Sequence, residues 1–231
     1  MACVLLDVDG TLLDTPSSER LFVAYLARRH RLGVKQVSRA AGFCVRWGPR
    51  LRRDVLRKNK AYLAGLKVDL VTELAEAFVA RELAPRVRPL IMQRLNDHLE
   101  AGEPIALVTG TLEFIARPLA RAVGAETWRA TRCASDGSHF TAGLPLAHPF
   151  GEEKVRLSAE LCAELGCRLS QCVAYADSAH DLPLLSRVGR PVAAWPDRRL
   201  GKAARRKGWE ILGPSKPQHR LRPLMGGHAA G

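Results

Sequence analysis

The chain has 231 residues, of which 47% are hydrophobic, and a formal net charge of +13 at neutral pH. This length can hold one core domain with a small insertion, and the hydrophobic content excludes an intrinsically disordered chain. No apolar run has the length of a membrane span, and Asp7 precedes any signal-like hydrophobic region. We therefore expect a cytoplasmic protein without membrane insertion.

The basic residues are spread along the chain instead of forming one patch. One group lies within residues 46–60 and another within residues 198–207, and neither comes with an aromatic series or a known nucleic-acid-binding motif. A positive field attracts small phosphorylated molecules as well as nucleic acids. We interpret most of this charge as solvated surface and predict no specific nucleic-acid partner.

The cysteines give no sign of a metal ribbon or a redox motif. They are Cys3, Cys44, Cys133, Cys162, Cys167 and Cys172. All lie in apolar segments, and none forms a Cys-x-x-Cys pair of the kind found in zinc ribbons and dithiol redox sites. Buried free thiols are the expected state.

The first predicted element is a strand, and a helical segment follows it. Residues 3–6 form an apolar run that is typical of a strand buried on both faces of a parallel sheet, and Gly10 allows the chain to turn sharply after it. Helical patterns then begin at Ser17 or Ser18, cover residues 34–47 and 52–63, and start again near Asp69. Gly48 and Pro49 are expected to end the second of these helices.

From residue 90 onward, helical and strand patterns alternate, which predicts a parallel sheet covered by helices. The predicted strands are residues 104–109, 126–132, 171–175 and 190–194. The predicted helices are residues 90–101 and 112–123, a helix starting near Glu152, and residues 179–186 and 198–207.

These patterns predict an α/β fold with a Rossmann-like, doubly wound parallel sheet. The core would comprise residues 1–14 and 88–213, and residues 15–87 would form an inserted all-helical cap. Residues 214–231 lose hydrophobic periodicity and are rich in Gly, Pro, Arg and His, which predicts a mobile tail.

Two carboxylates, Asp7 and Asp9, follow the first predicted strand directly. Carboxylates in this position are costly to bury unless a cation or hydrogen bonds compensate them. Mg²⁺ prefers oxygen ligands and is usually held by one or two carboxylates together with a substrate phosphate. An aspartate beside such a cation can act as a nucleophile toward phosphorus.

The sequence Asp7-Val8-Asp9-Gly10-Thr11 resembles the first motif of the haloacid dehalogenase superfamily of phosphohydrolases. Three later segments resemble the family's remaining motifs, in the family's order: the strand that ends in Thr109 and Gly110, Lys154, and the acidic pair Asp177 and Asp181. The resemblance is strongest to the phosphoserine phosphatase-like subfamily, which has a helical cap between the first and second motifs. It covers the chain up to about residue 212.

The resemblance implies a phosphomonoesterase with roles for both carboxylates of the first motif. Asp7 would attack the phosphorus of a small phosphorylated substrate and form an aspartyl phosphate. Asp9 would protonate the leaving alkoxide and then activate the hydrolytic water. Mg²⁺ would be held by Asp7, by the backbone carbonyl of Asp9 and by Asp177.

The remaining motif residues are implied to bind the phosphate or to position its partners. The Thr109 hydroxyl and the Gly110 amide would donate to phosphoryl oxygens, and Lys154 would balance the charge of both the phosphate and Asp7. Asp181 would orient a metal-bound water or Lys154 without contacting the metal directly.

One departure from the subfamily concerns the substrate. Phosphoserine phosphatases carry an acidic residue shortly after the first motif, where it binds the amino group of the substrate. Pro16 stands at that distance here, and Glu19 follows three residues later. Phosphoserine is therefore a weaker expectation, and histidinol phosphate and other small phosphomonoesters remain open. Basic and aromatic cap residues could contact the leaving group, namely Arg46, Trp47, Arg50, Arg53, Lys58 and Lys60.

Two alternative functions remain open. A phosphotransferase would use the same aspartyl phosphate but pass the phosphoryl group to an alcohol. A basic binding protein could retain the scaffold without turnover. The complete set of motif residues argues against the second alternative, because a protein without turnover has no physical reason to keep buried carboxylates together with their lysine.

Overall fold

The computed structural model describes residues 2–215 of the chain. Within these residues, six strands form a single sheet: β1 (Val4–Leu6), β2 (Ile105–Leu112), β3 (Thr127–Thr131), β4 (Val173–Ala176), β5 (Arg190–Ala194) and β6 (Glu210–Leu212). The strand order is β3-β2-β1-β4-β5-β6, and all neighbouring strands are parallel. The predicted α/β class with a doubly wound parallel sheet is confirmed.

Nine α-helices accompany the sheet over the same residues. They are α1 (Ser18–Arg28), α2 (Val34–Leu51), α3 (Val55–Lys58), α4 (Val68–Phe78), α5 (Pro89–Glu100), α6 (Glu113–Ala122), α7 (Glu152–Glu164), α8 (Leu182–Leu185) and α9 (Arg198–Lys207).

Both faces of the sheet are buried, which explains the uninterrupted apolar run in β1. Val4 and Leu6 belong to one hydrophobic cluster, and Leu5 between them belongs to a second cluster. Successive strand residues point to opposite faces, so each face must be covered by its own set of helices. Helices α5 and α6 contribute to the first cluster, whereas α7, α8 and α9 contribute to the second.

The helical segment after β1 is attached to the first face of the sheet by an aromatic cluster. The ring centroid of Phe22 on α1 lies 5.2 Å from that of Phe78 on α4 and 5.5 Å from that of Phe114 on α6. Such tilted aromatic pairs add to the free energy gained from area burial alone. The division into a core and a cap covering residues 15–87 stays a prediction.

The structure corrects two of the helical predictions in this segment. Helix α2 continues through Gly48 and Pro49 to Leu51, because Pro49 lies in the last turn, where its missing N–H removes only one helical hydrogen bond. The predicted helix over residues 52–63 is wrong. Arg52 has a φ of 50°, which ends α2. The extended backbone at Asn59 (ψ 101°) then separates the helical turns of residues 52–58 from the 3₁₀ turn of residues 61–63.

Smaller differences occur elsewhere. Helix α4 continues as a π turn (Val79–Leu83) and a 3₁₀ turn (Ala84–Arg86). Strand β2 extends three residues beyond Thr109, with an irregular register against β3 between Val108 and Leu112. Strand β6 was not predicted. Apart from Pro214 and Ser215, the predicted mobile tail lies outside the described residues.

Over residues 2–215, no helix combines the length and the apolar character that a bilayer crossing requires.

Candidate active site

A tight turn after β1 places Asp7 and Asp9 at the carboxyl edge of the sheet. Gly10 has a φ of 80°, a conformation that residues with a side chain rarely adopt. The turn is closed by two hydrogen bonds, from the Leu13 N–H to the Val8 carbonyl (2.9 Å) and from the Gly10 N–H to the Leu13 carbonyl (3.1 Å). The chain therefore reverses without carrying either carboxylate away from the sheet edge.

Three carboxylates from two neighbouring strand ends converge at this edge. Asp7 follows β1, while Asp177 and Asp181 follow β4, and their carboxylate oxygens lie within 4.8 Å of one another. All three residues are buried. Because β1 and β4 are hydrogen-bonded neighbours, their carboxyl ends must meet at one place.

Lys154, in the first turn of α7, joins two of these carboxylates. Its Nζ donates to Asp7 Oδ1 and lies equally close to Asp181 Oδ1, at 2.8 Å in each case. Burial alone would lower the pKa of Lys154, but the Asp181 and Asp7 carboxylates raise it above the usual lysine value. Lys154 is therefore a permanent cation at neutral pH. Burial raises the pKa of Asp181, and the charge of Lys154 opposes that shift.

The donor set of this cluster fits a divalent cation. Asp7, Asp177 and Asp181 place carboxylate oxygens within 4.8 Å of one another, and Lys154 contacts one oxygen each of Asp7 and Asp181. Cations stabilise buried carboxylates that are grouped in this way. Closely spaced carboxylate oxygens are the ligands that Mg²⁺ takes in proteins.

The Asp9 carboxylate binds a different set of partners. Its Oδ1 accepts a hydrogen bond from the Ser18 N–H at 2.8 Å, and its Oδ2 accepts from the hydroxyls of Ser18 (3.1 Å) and Thr111 (3.3 Å). Burial raises the pKa of Asp9 to about 6, although the hydrogen bonds from Ser18 oppose the shift. A carboxyl group with this pKa exchanges its proton readily near neutral pH.

Thr109 is connected to Asp9 through Thr111. The Thr109 hydroxyl donates to Thr111 Oγ1 and accepts from the Thr111 N–H, both at 3.1 Å, and Thr111 in turn donates to Asp9. Neither Ser18 nor Thr111 was predicted as a site residue. Two sequence features could have pointed to them. Ser18 is a hydroxyl residue at the start of α1, beside the N-cap Ser17, and Thr111 is the second threonine of Thr109-Gly110-Thr111.

A cavity of about 750 Å³ opens beside Asp9 and Gly110. Its other lining residues come from the helical segment after β1 and from the loop before α7; they are Pro16, Ser17, Glu19, Arg20, Val23, Arg53, Leu56, Arg57, Asn59, Lys60, Tyr62, His148 and Phe150. Arg53 and Lys60 were among the suggested leaving-group contacts, and both line this cavity.

Glu19, the acidic residue that follows Pro16, is already paired on the cavity wall. Lys60 Nζ donates to both Glu19 carboxylate oxygens, at 2.7 and 2.5 Å, and the Tyr62 hydroxyl donates to Oε1 at 2.8 Å. Lys60 is 4% exposed, so this ion pair is shielded from water. The charge of Glu19 is therefore balanced before any substrate arrives.

His148 also lines this cavity, as a neutral imidazole. The hydroxyl of Thr131 donates its proton to the Gly110 carbonyl (2.6 Å), so it must accept from His148 Nδ1–H (2.9 Å). Burial and the nearby Lys60 lower the pKa of His148 to about 4, which keeps the ring neutral at pH 7. Its Nε2 is buried and has no hydrogen-bond partner in the part of the chain that the structure describes.

Residues 4–186 match the family model described as haloacid dehalogenase-like hydrolase. The chain belongs to this hydrolase family. The family prediction is thereby confirmed. The structure brings the predicted site residues of the hydrolase to one edge of the sheet, with Asp7, Lys154, Asp177 and Asp181 in one cluster and Thr109 linked through Thr111 to Asp9.

Several proteins with phosphatase names are similar to this hydrolase. It is 32% identical over 219 residues to the phosphoserine phosphatase SerB1 of Mycobacterium tuberculosis, which covers 91% of this chain and 70% of that protein. It is 29% identical over 216 residues to the histidinol-phosphatase of Neisseria meningitidis, with coverages of 90% and 96%. The hydrolase spans 61% of the length of a Streptomyces azureus protein named for inhibition of morphological differentiation, at 32% identity.

Solved structures show the same fold. A Bordetella pertussis protein of unknown function superposes with a TM-score of 0.76 at 30% identity, covering 92% of this hydrolase and 98% of that chain. A substrate-bound phosphoserine phosphatase superposes with a TM-score of 0.60 at 15% identity, covering 92% and 93%. At that identity, the second similarity concerns the fold alone.

The raised pKa of Asp9 predicts a pH-dependent change in stability. Its carboxyl pKa is about 6 in the folded protein and 3.8 in the unfolded chain, so the folded state binds more protons between these values. The contribution of Asp9 to the free energy of unfolding is complete below about pH 4 and is lost as the pH rises through about 6. In urea titrations with chelator present, Asp9→Asn should gain stability relative to wild type between pH 4 and 7, by on the order of 1–3 kcal/mol. A pH-independent difference would contradict the shift.

Removing the buried cation should destabilise the fold. Lys154→Met leaves Asp7 and Asp181 without their shared partner, which should cost about 3–5 kcal/mol of unfolding free energy at neutral pH in the presence of chelator. Lys202→Met, at an exposed position on α9, is the matched control and should change stability by less than about 0.5 kcal/mol. Equal effects of the two variants in urea denaturation would contradict the buried ion pairs.

Proposed function

We propose that this hydrolase is a Mg²⁺-dependent phosphomonoesterase that acts on a small phosphorylated metabolite through an aspartyl phosphate on Asp7. The observation that carries the proposal is the placement of Lys154 between Asp7 and Asp181, with Asp177 beside them. Asp9, two residues after Asp7, lines the cavity. This arrangement combines a nucleophile, a proton donor and a phosphate-binding cation.

In this proposal Asp7 attacks phosphorus. The hydrogen bond from Lys154 Nζ to Oδ1 holds the carboxylate in one orientation before substrate binds. The carboxylates of Asp7 and Asp177, with the Asp9 backbone carbonyl, would hold Mg²⁺. When bound, the ion supplies the positive charge that lets an anionic carboxylate approach an anionic phosphate.

Asp9 acts as the proton donor and later as the base. With a pKa of about 6, about a tenth of this group is protonated at pH 7. The protonated form donates to the leaving oxygen, and the resulting carboxylate then accepts a proton from the water that hydrolyses the aspartyl phosphate. Ser18 and Thr111 hold the carboxylate in place for both steps.

Three further groups would bind the phosphate. Lys154 presents its charge beside Asp7, and the Thr109 hydroxyl and Gly110 amide donate to phosphoryl oxygens. The Thr109 hydroxyl donates to Thr111 in the structure, so it must turn toward the phosphate when substrate binds. Asp181 positions Lys154 through its own 2.8 Å ion pair.

We further propose that residues 15–87 act as a cap over a core formed by residues 1–14 and 88–213. The cavity supports this division, since its walls combine Glu19 and Lys60 from the first region with Gly110 and His148 from the second. A cytoplasmic location stays a prediction from the sequence.

The cavity also bears on the choice of substrate. An incoming ammonium group, such as that of phosphoserine, would have to compete with Lys60 for Glu19. The names of the relatives support small phosphorylated metabolites, with phosphoserine and histidinol phosphate as the first candidates to compare.

The test is phosphate release from a panel of small phosphomonoesters, with Mg²⁺ and with chelator. Asp7→Asn should abolish Mg²⁺-dependent release, and Asp9→Asn should reduce kcat by a factor on the order of 10²–10⁴. Asp14→Asn is the matched control, because this nearby carboxylate is 72% exposed and pairs with Arg88; it should retain kcat/KM within about twofold.

Three results would contradict the proposal or redirect it. Full activity of Asp7→Asn would exclude the proposed nucleophile. Product formation that increases with an added alcohol, at the expense of free phosphate, would establish the phosphotransferase alternative. A folded protein that binds Mg²⁺ but releases no phosphate from any member of the panel would favour the binding-protein alternative.

A further inference from the structure

A second cluster of metal-ligating side chains lies at the opposite edge of the sheet from the carboxylates. Cys3 immediately precedes β1, Cys172 immediately precedes β4, Cys162 lies near the end of α7, and Cys167 follows that helix. The four Sγ atoms lie within 4.8 Å of one another. Sequence spacing did not indicate this convergence, because Cys3 is 159 residues from its nearest partner along the chain.

The distances between the sulfurs match the dimensions of a single-ion site. They are 3.3 Å for Cys3–Cys172, 3.5 Å for Cys162–Cys172, 3.7 Å for Cys3–Cys167, and 3.8 Å for both Cys3–Cys162 and Cys167–Cys172. Disulfide sulfurs are about 2.05 Å apart, and all four cysteines are free. Four sulfurs placed tetrahedrally at about 2.3 Å from zinc would be about 3.8 Å apart.

The backbone holds the four cysteines in this arrangement. Val4 and Val173 are register partners in β1 and β4, so the cysteines that precede them are neighbours. Gly166, with a φ of 67°, reverses the chain after α7, and the Cys167 N–H then donates to the Cys162 carbonyl at 2.8 Å. Two strand starts, one helix and the turn after that helix therefore hold the four positions.

The surroundings suit a closed thiolate site that remains accessible from solvent. Cys3, Cys162 and Cys172 are buried in the second hydrophobic cluster, whereas Cys167 is only partly buried and provides a route for an ion. Four thiolates and no open position are the features of structural zinc sites.

We propose that Cys3, Cys162, Cys167 and Cys172 form a structural tetrathiolate zinc site. Thiolate ligands in tetrahedral arrangement select zinc over the hard cations, so this site and the carboxylate cluster would take different metals. Each thiol that still carries a proton releases it to solvent when the ion binds.

The site would tie together the three elements that carry the catalytic cluster. The other ends of β1, β4 and α7 bear Asp7, Asp177 and Lys154. Along β1, the four residue steps from Cys3 to Asp7 span about 13 Å. Zinc would therefore stabilise the fold without contacting the reacting atoms.

The test measures metal content and ligand chemistry of the full chain. Protein expressed in zinc-supplemented medium and purified without chelator should contain one zinc per chain. Replacement by Co²⁺ should give thiolate-to-metal charge-transfer absorption in the near ultraviolet together with the intense visible bands of a tetrahedral ion. Neither readout depends on phosphatase activity.

Cys167→Ser removes the most accessible ligand, and Cys44→Ser, outside the cluster, is the matched control. Losing one of four ligands forfeits on the order of a quarter of the binding free energy, so zinc affinity should fall by on the order of a hundredfold in Cys167→Ser. Cys44→Ser should keep the wild-type zinc content and the wild-type Co²⁺ spectrum.

Some outcomes would overturn the proposal. One is a wild-type protein that carries less than about a tenth of an equivalent of zinc and gives no charge-transfer band with Co²⁺. Another is a disulfide between cluster cysteines in the intact mass of freshly purified protein. Unchanged zinc affinity in Cys167→Ser would also contradict it. The wild-type measurements do not depend on the variants, so they can refute the proposal even if Cys167→Ser fails to fold.

Discussion

The buried contact of one ammonium group with two carboxylates is the constraint on which this site depends. Lys154 Nζ lies 2.8 Å from oxygens of both Asp7 and Asp181, and a third carboxylate, Asp177, lies beside them. The cluster forms only if β1 and β4 end, and α7 begins, at one place, since Asp7 and Asp181 would otherwise be buried without Lys154. The adjacency of β1 and β4 at the centre of the sheet meets this requirement.

Most of the site could be predicted from the sequence, because each motif residue follows a strand or opens a helix that is recognisable locally. Asp7 follows an uninterrupted apolar run, and Asp177 follows another, so the rule for parallel sheets brings them together. Ser18 and Thr111 could not be found in this way. They hold the Asp9 carboxylate through contacts between segments 9 and 102 residues apart, which no local pattern encodes.

The sheet was more predictable than the helical segment that faces it. Strands buried on both faces leave a strong signal, whereas the extended backbone at Asn59 breaks residues 52–63 where their apolar periodicity predicts a continuous helix. The cavity wall was likewise not predictable from local sequence patterns. The pairing of Glu19 with Lys60 and the hydrogen bond of His148 to Thr131 are tertiary contacts.

The most direct test of the account is to trap the phosphoryl group on the protein. Asp9→Asn should slow hydrolysis of the intermediate, so acid quenching during reaction with the best substrate of the panel and Mg²⁺ should preserve it. Peptide mass spectrometry should then locate one phosphoryl group on Asp7. Turnover with Asp7 unmodified at every quench time, or a phosphoryl group on another residue, would contradict the central claim.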